Sequence, residues 1–211
     1  MQLIMVNPDT PDMALLAQAA EVIRQGGVIA YPTDTVYGLG ADPHNDAAVS
    51  RIFAIKGRQA SKALSLIVAD ADQLQGLGAK PSEAALKLME AFWPGPLTLV
   101  LPLAKGVRMP ALRGQAKVAV RIPASRLCRE LATLCGPITA TSANRSGERE
   151  PTTAAEVEAA LGRQLDLIID GGRSPSAIPS TIVDVSIHPP VVLRAGAIPE
   201  PHIRAALEGR Q

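Results

Sequence analysis

The stretch Thr10–Pro32, TPDMALLAQAAEVIRQGGVIAYP, sets the reading of the fold. Thr10 ahead of Pro11 has the form of a helix N-cap followed by proline at the first helical position, where its missing N–H is no loss. Leu15, Leu16, Ala19, Ala20 and Ile23 recur at helical spacing and predict one apolar face, running to about Gln25. Gly26-Gly27 stops that helix. Val28-Ile29-Ala30-Tyr31 is then a short apolar run closed by Pro32, the pattern of a buried strand.

Working outward, the same alternation continues. Asn45 or Asp46 caps a second helix with Val49, Ile52 and Phe53 on its core face. Leu64–Ala69 reads as a strand, Pro81 to Phe92 as a helix, and Trp93-Pro94-Gly95-Pro96 as a rigid turn. Leu97–Leu103 and Val118–Ile122 read as strands, and a helix follows to Cys135. Ile138–Ala140 leads into Thr141-Ser142-Ala143-Asn144. A helix over Thr153–Leu161, strands at Leu165–Asp170, Thr181–Val185 and Val191–Leu193, and a short helix over Glu200–Glu208 complete the chain. The alternation is not strictly regular. The expected class is therefore α/β, with one twisted mixed parallel/antiparallel sheet flanked by helices. A single domain over about 11–198 is expected, with residues 1–10 and 199–211 packed on it or frayed.

Composition narrows the function. The chain has 211 residues, 47% of them hydrophobic, enough for a real core. A net charge of +1 and only five aromatic residues argue against a nucleic-acid coat and against base stacking as the main binding mode. Cys128 and Cys135 lie about two helical turns apart, roughly 10 Å, too far for a disulfide. They read as buried thiols of a reducing compartment. There is no signal-peptide pattern and no apolar run near the ~18 residues a membrane span needs. The expected location is cytoplasmic, away from membranes. His44, His188 and His202 are scattered and suggest no metal site.

Three clusters carry chemistry. Lys56-Gly57-Arg58, with Lys62 close behind, sets three cations just before a buried strand. That is either a solvated basic turn or an anion site at a strand end. Thr141-Ser142-Ala143-Asn144 puts hydroxyls and an amide between strand-like and helix-like sequence, as a capped turn or as ligand contacts. Pro32–Gly40, PTDTVYGLG, is the third. Arg121 and Arg194 each end an apolar run, so each has either an ion-pair partner or an anionic ligand to grip. Ser180-Thr181 precedes a strand. Gly76-Leu77-Gly78-Ala79-Lys80 lacks the spacing of a phosphate-binding loop, so a bound triphosphate would be held by side-chain cations.

Taken in order, these clusters resemble the threonylcarbamoyl-AMP synthase family with its YrdC-like domain, over about Pro11 to Ile198. The resemblance also rests on Trp93–Thr98, Val120–Pro123, Ser146-Gly147, Asp170-Gly171-Gly172, Ser180-Thr181 and Leu193-Arg194-Ala195-Gly196. It implies a domain with a concave basic cleft. It implies formation of L-threonylcarbamoyl-AMP and pyrophosphate from L-threonine, bicarbonate and ATP. The product would pass to a tRNA threonylcarbamoyltransferase complex. The family's catalytic tetrad falls on Lys56, Arg58, Ser142 and Asn144. Threonine would be held by Thr35, Arg121, Ser142 and Ser180. ATP would be held by Lys56, Arg58, Lys62, Asn144, Thr152 and Arg194. Mg²⁺ is expected with ATP, without a dedicated protein site. Longer relatives carry a C-terminal domain, for which this sequence leaves no room. The alternative is an RNA-binding YrdC-like paralogue without synthase activity, and weak binding of tRNA or double-stranded RNA is a further possibility. The sequence departs from the family at Gln59, Ala63 and Ile178-Pro179.

Overall fold

The structure, a computed structural model, describes residues 1–57 and 62–209. Its elements run β1 (Gln2–Met5), α1 (Met13–Arg24), β2 (Ile29–Tyr31), β3 (Gly38–Gly40), α2 (Asp46–Lys56), β4 (Leu66–Ile67), α3 (Ala71–Gly76) and α4 (Glu83–Phe92). They continue as β5 (Leu97–Pro102), β6 (Lys117–Arg121), α5 (Arg126–Cys135), β7 (Ile138–Thr139), β8 (Thr141–Ser142), α6 (Ala154–Leu161), β9 (Leu167–Asp170), β10 (Thr181–Asp184), β11 (Val191–Arg194) and α7 (Glu200–Glu208).

The strands form two mixed sheets where the sequence predicted one. The first has the order β1-β9-β2-β3-β8, the second β11-β10-β5-β6-β4-β7. In the first, β9 lies parallel to both β1 and β2 and separates them. In the second, β5 pairs antiparallel with β6, and β4 runs parallel to β6. Successive side chains on a strand point to opposite faces, and the core divides accordingly. Val28 and Ala30 join one apolar cluster with Leu39, Ile52, Leu66, Leu99 and Val120. Ile29 and Tyr31 join the other, with Leu167, Ile169, Ile67 and the buried faces of α1 and α5.

Local chemistry explains the boundaries. Asp12, not Thr10, caps α1, its carboxylate accepting from the Ala14 and Leu15 amides. An aspartate two residues further along, directly before the helix, outcompetes the Thr-Pro pair. Asn45 caps α2 through the Ala48 amide, and Gly57, at φ +56°, ends it in the left-handed conformation that glycine adopts freely. The predicted strand at Leu64–Ala69 is cut to Leu66–Ile67, and Asp70 opens a short helix, α3, within the next turn. β1, β3 and β8 are strands that the sequence did not announce. β1 is an exposed edge, β3 is Gly-Leu-Gly, and β8 has two residues. Both thiols are free, with Cys128 buried and Cys135 partly so. No helix among the described residues is long and apolar enough to cross a membrane.

Candidate active site

A cleft of about 590 Å³ opens between the two sheets. Thr35, Gly38 and Ser142 reach it from the turn and strands of the first sheet. Thr98, Arg121 and Arg194 reach it from β5, β6 and β11 of the second, and Ser180 from the residue just before β10. Lys56 and Lys62 close one side. Eight of the ten predicted site residues therefore meet there: Thr35, Lys56, Lys62, Arg121, Ser142, Asn144, Ser180 and Arg194. Arg58 lies outside the described residues. Thr152 lies away from the cleft wall, and its Oγ1 binds Glu156 Oε2 at 3.2 Å and accepts from Arg173 Nη1 at 2.7 Å.

Lys56 is the most buried of the described cations, only 4% exposed at the last turn of α2. Its Nζ donates to Ser142 O at 2.5 Å, Asn144 O at 2.8 Å and Asn144 Oδ1 at 3.2 Å. An ammonium has three protons, so it ties the Ser142–Asn144 segment to α2. Ser146 N donates to Lys56 O at 2.8 Å and completes the join. Asn144 Nδ2 donates to Glu148 O at 2.6 Å, so one amide side chain shapes both sides of the turn. Ser142 is set in place by antiparallel pairing with Gly38.

The hydroxyls have assignable directions. Thr33 Oγ1 spends its proton on Val36 O at 2.8 Å. At its 2.9 Å contact with Thr35 Oγ1, the threonine at 35 must then be the donor. Thr35 thus keeps its lone pairs for the cleft it lines, as an acceptor. Ser180 Oγ pairs with Thr98 Oγ1 at 2.8 Å and accepts from Arg194 Nη2 at 3.1 Å. Arg194 also donates to Ser180 O through Nε and Nη2, at 3.0 and 2.8 Å. Although much of that side chain is exposed, partial desolvation of its head group pulls the guanidinium below its ordinary value. Glu150 opposes the shift, and the like charge of Arg121 adds to it. Arg121 and Arg194 therefore share one wall closely enough to favour an anion between them.

Thr33 and Thr98 line the cleft, and Asp34 sits against Arg121; sequence reading singled out none of the three. Thr33 and Asp34 stood inside a quoted motif, and Thr98 is a hydroxyl in an otherwise apolar strand. Glu148 and Glu150 also line the cleft, so its wall is not uniformly cationic. Among the described residues no three His, Cys, Asp or Glu side chains cluster as a metal site would require.

The Sua5/YciO/YrdC family model, described as "Telomere recombination", matches residues 21–196. The threonylcarbamoyl-AMP synthase of Pyrococcus abyssi is 44% identical over 182 residues, covering 86% of this chain and 54% of the relative. The enzyme of the same name from Chromohalobacter salexigens is 42% identical over 172 residues, covering 81% and 92%. The chain thus spans about half the length of the first relative and nearly all of the second. The crystal structure of P. abyssi Sua5 complexed with L-threonine superposes with a TM-score of 0.92 at 40% identity, over 98% of this chain and 61% of that one. With a family match across most of its length and a shared fold at this level of identity, the chain belongs to the Sua5/YciO/YrdC family.

Proposed function

We propose that this protein is an L-threonylcarbamoyladenylate synthase, a nucleotidyltransferase that joins L-threonine, bicarbonate and ATP. The observation that carries this reading is the convergence of Lys56, Lys62, Arg121, Arg194 and three hydroxyls on one cleft. Relatives of this name, and a relative solved with L-threonine, support it.

The chemistry asks for two anions to be brought together. The threonine amine takes up carbon dioxide with loss of a proton, or bicarbonate with loss of water, to give an N-carboxylate. One of its oxygens forms a bond to the α-phosphorus of ATP as the bond to pyrophosphate breaks. Positioning and charge neutralisation supply the catalysis. Arg121 would take the threonine carboxylate in a two-pronged grip. Thr35, as an acceptor, would accept a hydrogen bond from the substrate's amine or hydroxyl, with Ser142 and Ser180 beside it. Lys62 and Arg194, with Arg58, would hold phosphate oxygens. Lys56 would add its charge while fixing Ser142 and Asn144 in place. Thr152 would act on the nucleotide end only through its links to Glu156 and Arg173. Mg²⁺ would arrive with ATP and offset phosphate charge. The product would pass to a tRNA threonylcarbamoyltransferase complex.

Mass spectrometry of reactions with ATP, bicarbonate and threonine tests the proposal. The expected product is threonylcarbamoyl-AMP, formed one-for-one with pyrophosphate. ATP turnover without an amino-acid carbamoyl adenylate would sink it. A salt titration with tRNA tests the RNA-binding alternative, because binding dominated by phosphate contacts weakens steeply with salt.

A further inference from the structure

The Arg121 side chain is only 7% exposed, yet its guanidinium donates no hydrogen bond among the described residues. Its Nη1 is sealed from solvent 3.2 Å from Asp34 Oδ1, too poorly aligned for a hydrogen bond. Oδ1 is likewise buried and without one. A structural ion pair at this depth normally settles into aligned hydrogen bonds, because unsatisfied buried charge is expensive. This pair has not done so. Arg121 lines the cleft, whereas Asp34, its ion-pair partner, is not part of the wall.

Asp34 is itself anchored. Its Oδ2 accepts from Ala124 N at 3.3 Å, in the loop that follows β6. Arg129 Nη1 pins that loop by donating to Pro123 O and Ala124 O, both at 2.7 Å. Tyr31 and Cys128 also lie within electrostatic reach. Burial raises both, Cys128 to about 12, so at neutral pH neither adds a charge. Asp34 is the one acid paired with Arg121 among the described residues.

We propose that Asp34 is a positioning residue that aims the Arg121 guanidinium at the cleft and balances its charge. A balanced guanidinium still offers its planar fork of donors, which suits a carboxylate. It offers little excess charge, which is what a phosphate chain gains most from. The Arg121 guanidinium is thereby reserved for a zwitterionic amino acid, and the triphosphate is left to the other cations of the cleft, Lys62 and Arg194 among them. This inference rests on the synthase reading.

Asp34→Asn, which keeps the shape and removes the charge, tests it in the full chain. Calorimetry is expected to show threonine binding at least tenfold weaker, with ATP binding within twofold of wild type. Inorganic phosphate should compete with threonine in the variant and not in the wild type. The proposal is overturned if threonine affinity stays within twofold, if ATP weakens by the same factor, or if phosphate competes no better than in wild type. Should Asp34→Asn fail to fold, Asp34→Glu serves instead. It keeps the charge but displaces it, so threonine should weaken without phosphate gaining, and unchanged threonine affinity counts against the idea. A wild-type chain that binds no threonine would refute the synthase reading first. The role of Asp34 is then decided by the Nε–H NMR signal of Arg121, assigned with Arg121→Lys. A dispersed signal that collapses in Asp34→Asn supports positioning, and an unchanged one overturns it.

Discussion

At Lys56 the ammonium donates to three oxygens of the Ser142–Asn144 segment, so removing the side chain both deletes a charge and leaves buried acceptors unpaired. Lys56→Ala is expected to abolish pyrophosphate release and to lower unfolding stability by about 2–3 kcal/mol, read from urea titration. A residue that only touched phosphate would leave stability unchanged. Arg121→Lys should weaken threonine far more than ATP, because lysine cannot form the two-pronged grip. Calorimetry with each ligand decides this, and equal losses would assign Arg121 a structural role. Thr35 as a buried acceptor predicts that valine is a much poorer substrate than threonine. Serine, lacking one methyl, should lose roughly 10–200-fold in kcat/KM. Equal rates for valine and threonine would mean that no hydroxyl is read. At this scale the sequence was informative about side chains and silent about backbone partners. Lys56, Ser142 and Asn144 could be picked out by residue type and spacing. That the lysine binds their carbonyls could not, because every residue carries a carbonyl. Thr152 shows the reverse case: its type suits a ligand contact, but its hydroxyl is turned toward Glu156 and Arg173.

Among the elements, β3 has the least sequence signal and a clear physical reason to exist. A Cβ on Gly40 would lie 2.8 Å from Tyr31 Cε1, and one on Gly38 3.3 Å from Tyr31 Cζ. The glycines make room for a fully buried ring whose hydroxyl is fixed by a 2.9 Å bond to Thr139 O. Because the ring cannot retreat, Gly40→Ala should cost about 1–3 kcal/mol. It should also reduce activity, since β3 carries the pairing partner of Ser142. A circular-dichroism melt beside a turnover assay checks both. Elements with an apolar helical period and a start signal, such as α2 behind Asn45 and α4 just after Pro81, were legible from sequence. Glycine-rich β3, two-residue β8 and edge strand β1 were not, since pairing partners remote in the chain make them strands. The division into two sheets was hidden for the same reason: it is decided by register, not by composition.

For the whole molecule, two carboxylates join distant segments. Burial alone would raise Asp184, but hydrogen bonds from Lys117 and Ser186 outweigh it and hold the group below its usual value. Asp166 behaves in the same way, with Arg51 and the Val28 amide as partners. A depressed folded pKa contributes stability that is present above the unfolded value of about 3.9 and is lost as pH falls through the folded one. The melting temperature should therefore hold from neutral pH to about 5 and drop steeply below about 4. In Asp184→Asn that acid-side drop should be shallower, and an unchanged profile would remove Asp184 from the account. The insertion of β9 between β1 and β2 has a consequence in time. Synthesis runs from the N-terminus, so β1 and β2 emerge long before the strand that must pass between them. Until Leu167–Asp170 leave the ribosome, both strands wait with open edges, and the cleft waits longer still, for Arg194. Stalled nascent chains ending before Leu167 should be digested readily by protease, whereas chains extended well beyond Arg194 should resist it.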